Sequence, residues 1–399
     1  MHCLLIFVSK KRVIEYNEFI QKTARWIFCG GQGVASLKLS GVSFKYSDKV
    51  VAVSNLNFAA CDKEFAVITG QMGSGKSTVL KLIAGLIKPL DGEILIDGQP
   101  AGDIKERDIA MVFEGNTLKS RATVYDNMAA GLKLRKTPPE IIDSRVKEAA
   151  AVLNITELLS RRVKTLTEAQ MRRVSLCRAI VRRPKILLID GLLSRLDEKS
   201  RLQIRTDIEK IYHTLDTTVI YTTNDPAEAL SFAGAKVVAM NGGCIQQIGT
   251  PSEICDSPAN TFVASFFGSS LMNMMPVGIS LDGDCVILNL YAGKLRIPRN
   301  GMYVPNDSVL LVIEPKSIKC EAEFVGTHTD TAFFAEICYA EAVGNETVLH
   351  LRYGDNRMYM RTAARLDFIE GKMLRVAFDP CRIHLFDFNT DENLKTITD

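Results

Sequence analysis

The chain reads as a parallel α/β domain with antiparallel β and helical additions, followed by a separate all-β domain. Three observations predict this. Short apolar strands alternate with helix-patterned segments between about residues 64 and 222, the pattern of a parallel sheet covered on both faces. One of those strands runs into a glycine-rich loop, Gly70-Gln71-Met72-Gly73-Ser74-Gly75-Lys76-Ser77, which opens a helix. Past Ser269 the texture changes to short strands divided by Gly, Asp and Asn turns, as in a small barrel.

The elements follow in order. Residues 1–33 look foreign to the rest, hold the only tryptophan, Trp26, and end in Cys29-Gly30-Gly31-Gln32-Gly33. Two readings stand for them: an amphipathic extension helix from about Arg12 to Ile27, or a misassigned start with Val34 as a GTG initiator behind a ribosome-binding sequence in the Gly30-Gly31 codons. From Ser36 to about Ala60, stretches such as Leu37-Lys38-Leu39 and Val42-Ser43-Phe44 read as antiparallel strands. A buried strand over Glu64 to Thr69 feeds the loop, and Lys76 to Leu86 is its helix. Ile109 to Phe113 is a further core strand. Thr123 to about Arg183 is helix-rich and reads as an inserted helical subdomain. Strands at Ile186 to Asp190 and Thr218 to Thr222 flank a helix from about Asp197. In the last domain, Val309 to Ile313, Thr347 to Leu351 and Met373 to Phe378 are strands. The domains are thus 1–33 as an extension or misassigned start, 34–268 as the α/β domain with its helical part at about 123–183, and 269–399 as the β domain.

Composition narrows the class. A chain of 399 residues with 47% hydrophobic and 24% charged residues buries substantial cores. A net charge of +3 is too mild to imply nucleic acid or an anionic surface. Ten scattered cysteines with no C-x-x-C pair argue against zinc or a disulfide framework and for reduced thiols in a cytosol. No apolar run approaches the roughly 20 residues that span a bilayer. The Leu4 to Val8 stretch is too short and wrongly flanked for a signal peptide.

The loop carries the first chemistry. Its glycines let backbone N–H groups turn inward onto phosphate oxygens, Lys76 brings a positive charge to the β- and γ-phosphates, and Ser77 brings a hydroxyl to Mg²⁺. Asp190 ends an apolar strand, the place for a carboxylate that completes the magnesium shell, mostly through water. Taken singly, the loop could be a glycine-rich turn and Asp190 a surface acid. Strand, loop and helix in this order favour nucleoside triphosphate and Mg²⁺.

On these residues the chain resembles the ATP-binding subunits of ABC transporters, specifically the maltose-type and glycerol-phosphate-type sugar importers, from about Ser36 to Phe388. Further matches are Val42-Ser43-Phe44-Lys45-Tyr46, Thr123-Val124-Tyr125-Asp126-Asn127-Met128, Ser194-Arg195-Leu196-Asp197 and Gln246-Gln247-Ile248-Gly249-Thr250-Pro251. Gly344-Asn345-Glu346-Thr347 and Phe378 to Phe386 resemble the regulatory, OB-like (TOBE-type) domain of that subfamily. The resemblance implies a P-loop nucleotide-binding domain binding ATP through Gly70 to Thr78, with Tyr46 stacked on adenine and Ser77, Glu114 and Asp190 around Mg²⁺. It implies a dimer, of like or unlike subunits, in which each ATP also meets a signature loop, here Thr167 to Gln170, from the other subunit. Transmembrane permease subunits would be the partners, and the chain would sit in the cytoplasm on the inner face of the membrane through them alone. Nucleic acid is not implied: Arg172, Arg173, Arg178, Arg182 and Arg183 lack interleaved aromatics and read as a solvated or ion-paired helix face.

The departures from the family are concentrated on hydrolysis. The catalytic glutamate is Gly191, followed by Leu192; the switch histidine is Asn224; the Mg²⁺-contacting glutamine is Glu114; the signature Leu-Ser-Gly-Gly-Gln is Leu166-Thr167-Glu168-Ala169-Gln170. Losing the base costs on the order of 10²–10⁴ in rate, or ~3–5 kcal/mol of barrier. Thr167 to Gln170 also reads as an ordinary helix capping box. Glu114 has two readings: a carboxylate that stays on Mg²⁺ and stands in for the base, or a solvated acid that repels the γ-phosphate. The functions implied are the energising subunit of a carbohydrate-type importer or, alternatively, an inactive nucleotide-binding regulatory subunit. A decayed paralogue is the third option. An internal start at Val34 predicts that mass spectrometry of the natural protein finds no peptide upstream of that residue; an extension helix predicts that it does.

Overall fold

The structure is a computed structural model, which describes residues 35–395 apart from 48–49, 102–107, 116, 269–270, 291–292, 305–307 and 364–368. Both readings of residues 1–33 lie outside the described residues. The chain divides into two compact units, one ending at Ile248 and one starting at Gly249.

In the first unit a six-stranded sheet has the order Cys244–Gly249, Lys236–Asn241, Phe65–Gly70, Thr218–Thr223, Ile186–Asp190, Ile109–Val112. Its central strands pair in parallel, with Asp190 beside Thr222 and Thr69 beside Thr223, so the phosphate loop and the acid leave the same sheet edge. Phe65–Gly70, Ile186–Asp190 and Thr218–Thr223 are buried along their whole length, which is why none of them shows the apolar–polar alternation of a half-exposed strand. A second, four-stranded antiparallel sheet contains Ala35–Ser47 and Val50–Cys61, as the alternation near the start implied. Leu37, Leu39, Phe58, Ile68, Leu188 and Ile220 share one core.

The loop helix, Lys76–Ile83, is shorter than expected. It stops because Gly85 N–H donates to Leu82 O and Leu86 N–H to Lys81 O, the paired bonds that close a helix C-terminus. The helical insertion contains Val124–Leu134, Pro139–Val152 and Glu168–Ile180. Thr123 caps the first of these, and the buried Asn127 amide bonds Lys119 N and O and Thr123 O, so that motif has a structural duty. Asp197 caps Glu198–Thr214, the helix expected from about this residue.

The second unit begins with two short helices, Pro251–Asp256 and Thr261–Phe267, and continues as two five-stranded antiparallel sheets. Both contribute to a single core that includes Val286, Leu288, Leu311, Leu349, Val376 and Leu385. No described helix is long and apolar enough to cross a membrane. Seven described cysteines are free thiols, as expected, whereas Cys61 is disulfide-bonded, which reduced thiols did not lead one to expect.

Leu349 is fully buried in the second core. Leu349→Ala should lower stability by ~2–5 kcal/mol in denaturant unfolding. Nucleotide affinity should not change, because the phosphate loop belongs to the other unit.

Candidate functional site

The phosphate loop is preformed. A Cβ at Gly70 would stand 2.0 Å from Met240 O, and one at Gly75 would stand 2.3 Å from Ala52 O, so both positions are closed to any side chain. Ser74 N–H donates to Gln71 O at 3.1 Å. The Lys76 amine is folded back into the loop, donating to Gly70 O at 2.9 Å, Gln71 O at 2.7 Å and Ser74 Oγ at 3.0 Å. Burial pushes its pKa down to about 8, partly opposed by the Asp190 carboxylate. A phosphate entering the loop offers that amine charged oxygens in place of neutral ones.

Asp190, nearly buried, is where two elements meet the loop helix. Its Oδ1 accepts from Ser77 Oγ at 2.9 Å and from Thr222 Oγ1 at 2.7 Å. Three hard oxygens at the mouth of a phosphate loop suit a small divalent cation such as Mg²⁺. Thr222 was not singled out from the sequence. Its signal was its place at the end of the strand that pairs in register with Asp190.

Beyond Asp190 the chain turns at Gly191, whose φ of 52° lies in the left-handed region that a side chain rarely adopts. Gly191 N–H donates to Thr222 O at 3.1 Å. A Cβ placed there would lie 3.5 Å from Glu114 Cδ and 3.6 Å from Glu114 Oε2. Glu114 therefore holds its carboxylate beside the space left by the missing side chain. Ser194 Oγ lies 2.9 Å from Glu114 Oε1 and 2.8 Å from Gly191 O, within bonding range of each. Leu192 is fully buried.

Glu114 is also fixed through its backbone. Arg172, 8% exposed, donates from Nη1 to Glu114 O, and its Nη2 lies 3.2 Å from Glu168 Oε1. A cavity of about 340 Å³ is lined by Glu114, Gly115, Glu168, Arg172 and Arg195 among others. Neither Ser194 nor Arg172 was identified as a partner of Glu114 from the sequence.

The remaining expected site residues are placed as follows. Tyr46 is half exposed, its hydroxyl 3.2 Å from Thr78 Oγ1 and its ring edge-on to Phe44. Gln71, Met72 and Gly73 form the exposed crest of the loop. Thr167 and Gln170 form a reciprocal capping box, Gln170 N–H donating to Thr167 Oγ1 at 3.3 Å and Thr167 N–H to Gln170 Oε1 at 3.0 Å. Among the described residues neither is hydrogen-bonded to the phosphate loop. Asn224 is exposed, next to Asp225, which caps Pro226–Ser231 and pairs with Arg201 at 3.1 Å.

A parallel sheet ending in this loop, with Ser77 and Asp190 joined at its mouth, defines a P-loop nucleotide-binding domain. Residues 53–193 match the ABC transporter family. The chain is 40% identical to the oligosaccharides import ATP-binding protein MsmX of Bacillus subtilis, over 91% of this chain and all of that protein. It is 37% identical to the multiple sugar-binding transport ATP-binding protein MsmK of Streptococcus mutans, over 91% and 100%. It is also 37% identical to the trehalose/maltose import ATP-binding protein MalK of Thermococcus litoralis, over 90% and 99%. Among solved structures, cbiO1 of Clostridium perfringens, part of the ABC transporter complex cbiONQ, matches 55% of this chain and 90% of its own with a TM-score of 0.50 and 28% identity. The chain belongs to the family of ATP-binding subunits of ABC transporters.

Phosphate favours the charged form of Lys76, so triphosphate binding takes up a proton between the free pKa near 8 and the higher value in the complex. Affinity measured by calorimetry should be flat below pH 7.5 and fall by up to about tenfold per pH unit above pH 8. Lys76→Met should remove that slope together with most of the affinity.

Proposed function

We propose that this chain is the ATP-binding subunit of a carbohydrate importer, held at the inner face of the cell membrane by its permease subunits. The observation that carries the reading is the preformed loop in which Lys76 is buried among the loop's own carbonyl and hydroxyl oxygens while Ser77 and Asp190 share a hydrogen bond. The solute class rests on the similarity, over nine-tenths of the chain, to proteins named for oligosaccharide, multiple-sugar and trehalose/maltose import. ATP would lie with its phosphates over Gly70 to Thr78 and its adenine against Tyr46. Ser77 and Asp190 would hold Mg²⁺, which supplies charge neutralisation at the β- and γ-phosphates. A second ATP-binding subunit would close each site with its own signature loop, and closure would be passed to the permease at the Glu114 loop and the Thr123 to Met128 turn.

Hydrolysis, in this reading, falls to Glu114. The Glu114 carboxylate faces the backbone space at Gly191 where the family's glutamate side chain would begin; Ser194 Oγ bonds that carboxylate, and Arg172 holds the residue's backbone carbonyl. It would accept a proton from the attacking water from that side. A base supplied on a neighbouring loop is less well aimed than one built on the strand end, so turnover should be slow.

Glu114→Gln should lower single-turnover hydrolysis by about 10²-fold or more while leaving ATP affinity within a few-fold. An unchanged rate would mean that Glu114 does not activate water. A transport assay with the permease present tests the importer reading: ATP binding that never supports uptake would favour a regulatory subunit.

A further inference from the structure

We infer that Arg172 is a positioning residue that neutralises Glu168 and thereby lets this chain's signature helix close on a second subunit's ATP. The inference rests on the composite-site reading above and extends it to the charge balance at the closing surface. Glu168 is the first residue of the Glu168–Ile180 helix, directly after its Thr167 cap, and its side chain is half exposed. In a closed dimer that carboxylate would face the triphosphate held by the other subunit, and two anions brought together in a partly dry interface repel.

The structure contains the compensating charge. Arg172 lies one turn further along the same helix and reaches Glu168 Oε1 at 3.2 Å. The guanidinium is buried and cannot swing freely, because its other fork nitrogen is anchored on Glu114 O. Its Nε has no hydrogen-bond partner among the described residues, which leaves the two fork nitrogens as the ones that bond. The fork therefore ties two acids from different segments: the Glu168 carboxylate at the closing face and the backbone of the residue beside Gly191. A second cation, Arg195, lines the same cavity. With its charge balanced by Arg172, Glu168 can sit at the closing face without opposing the incoming nucleotide.

The test is a mutant cycle on the purified full-length chain, reading self-association by analytical ultracentrifugation with and without a slowly hydrolysed ATP analogue and Mg²⁺. Arg172→Met should weaken nucleotide-dependent association by about tenfold. Arg172→Lys, which keeps a cation within reach, should recover most of it. In the Glu168→Gln background, Arg172→Met should have no further effect, because no carboxylate remains to be neutralised. Should Arg172→Met not fold, Arg172→Gln carries the same cycle with a donor for the Glu114 carbonyl and no charge. A loss that persists in the Glu168→Gln background would show a packing role and overturn the inference, as would no loss at all. If neither the unmodified chain nor Glu168→Gln associates with nucleotide, the composite-site reading fails, and the inference falls with it.

Discussion

A single carboxylate oxygen, Asp190 Oδ1, takes hydrogen bonds from Ser77 at 2.9 Å and Thr222 at 2.7 Å. Those bonds join the phosphate-loop helix to the ends of two parallel strands. Because Asp190 is nearly buried, its charge is screened little, and it opposes the fall that burial imposes on the Lys76 pKa. The rest of the site is arranged from this junction: Thr222 also receives the Gly191 amide, and Gly191 sets where the next loop passes.

That next loop holds Gly191, the position expected to set this chain apart from its family. With no side chain at 191 and a left-handed backbone there, a glutamate restored at that position would carry backbone strain, its Cβ in ordinary van der Waals contact with Glu114. The two positions are coupled in space. A substitution at either changes the surroundings of the other, so they have to be interpreted as a pair. The same holds for Glu168 and Arg172, which lie one helical turn apart and ion-pair.

The phosphate loop and the apolar strands were legible because their chemistry is local. Glycines, Lys76 and Ser77 are neighbours in sequence, and a buried parallel strand is a run of apolar residues. The capping box at Thr167 was legible for the same reason. The position of Glu114 beside Gly191, bridged by Ser194, was not, because two segments far apart in the chain meet there through the sheet order. Thr222 was hidden likewise: its role follows from strand register with Asp190. The strands Lys236–Asn241 and Cys244–Gly249 went unread although Lys236–Asn241 is mostly buried, since six residues without regular alternation carry little signal of their own.

The most direct test is single-turnover hydrolysis of Mg²⁺–ATP by the purified, unmodified chain at saturating nucleotide. The expected result is tight binding followed by slow, complete conversion to ADP and phosphate. Tight binding with no conversion, in the presence of the permease as well as without it, would contradict a working ATPase at this site.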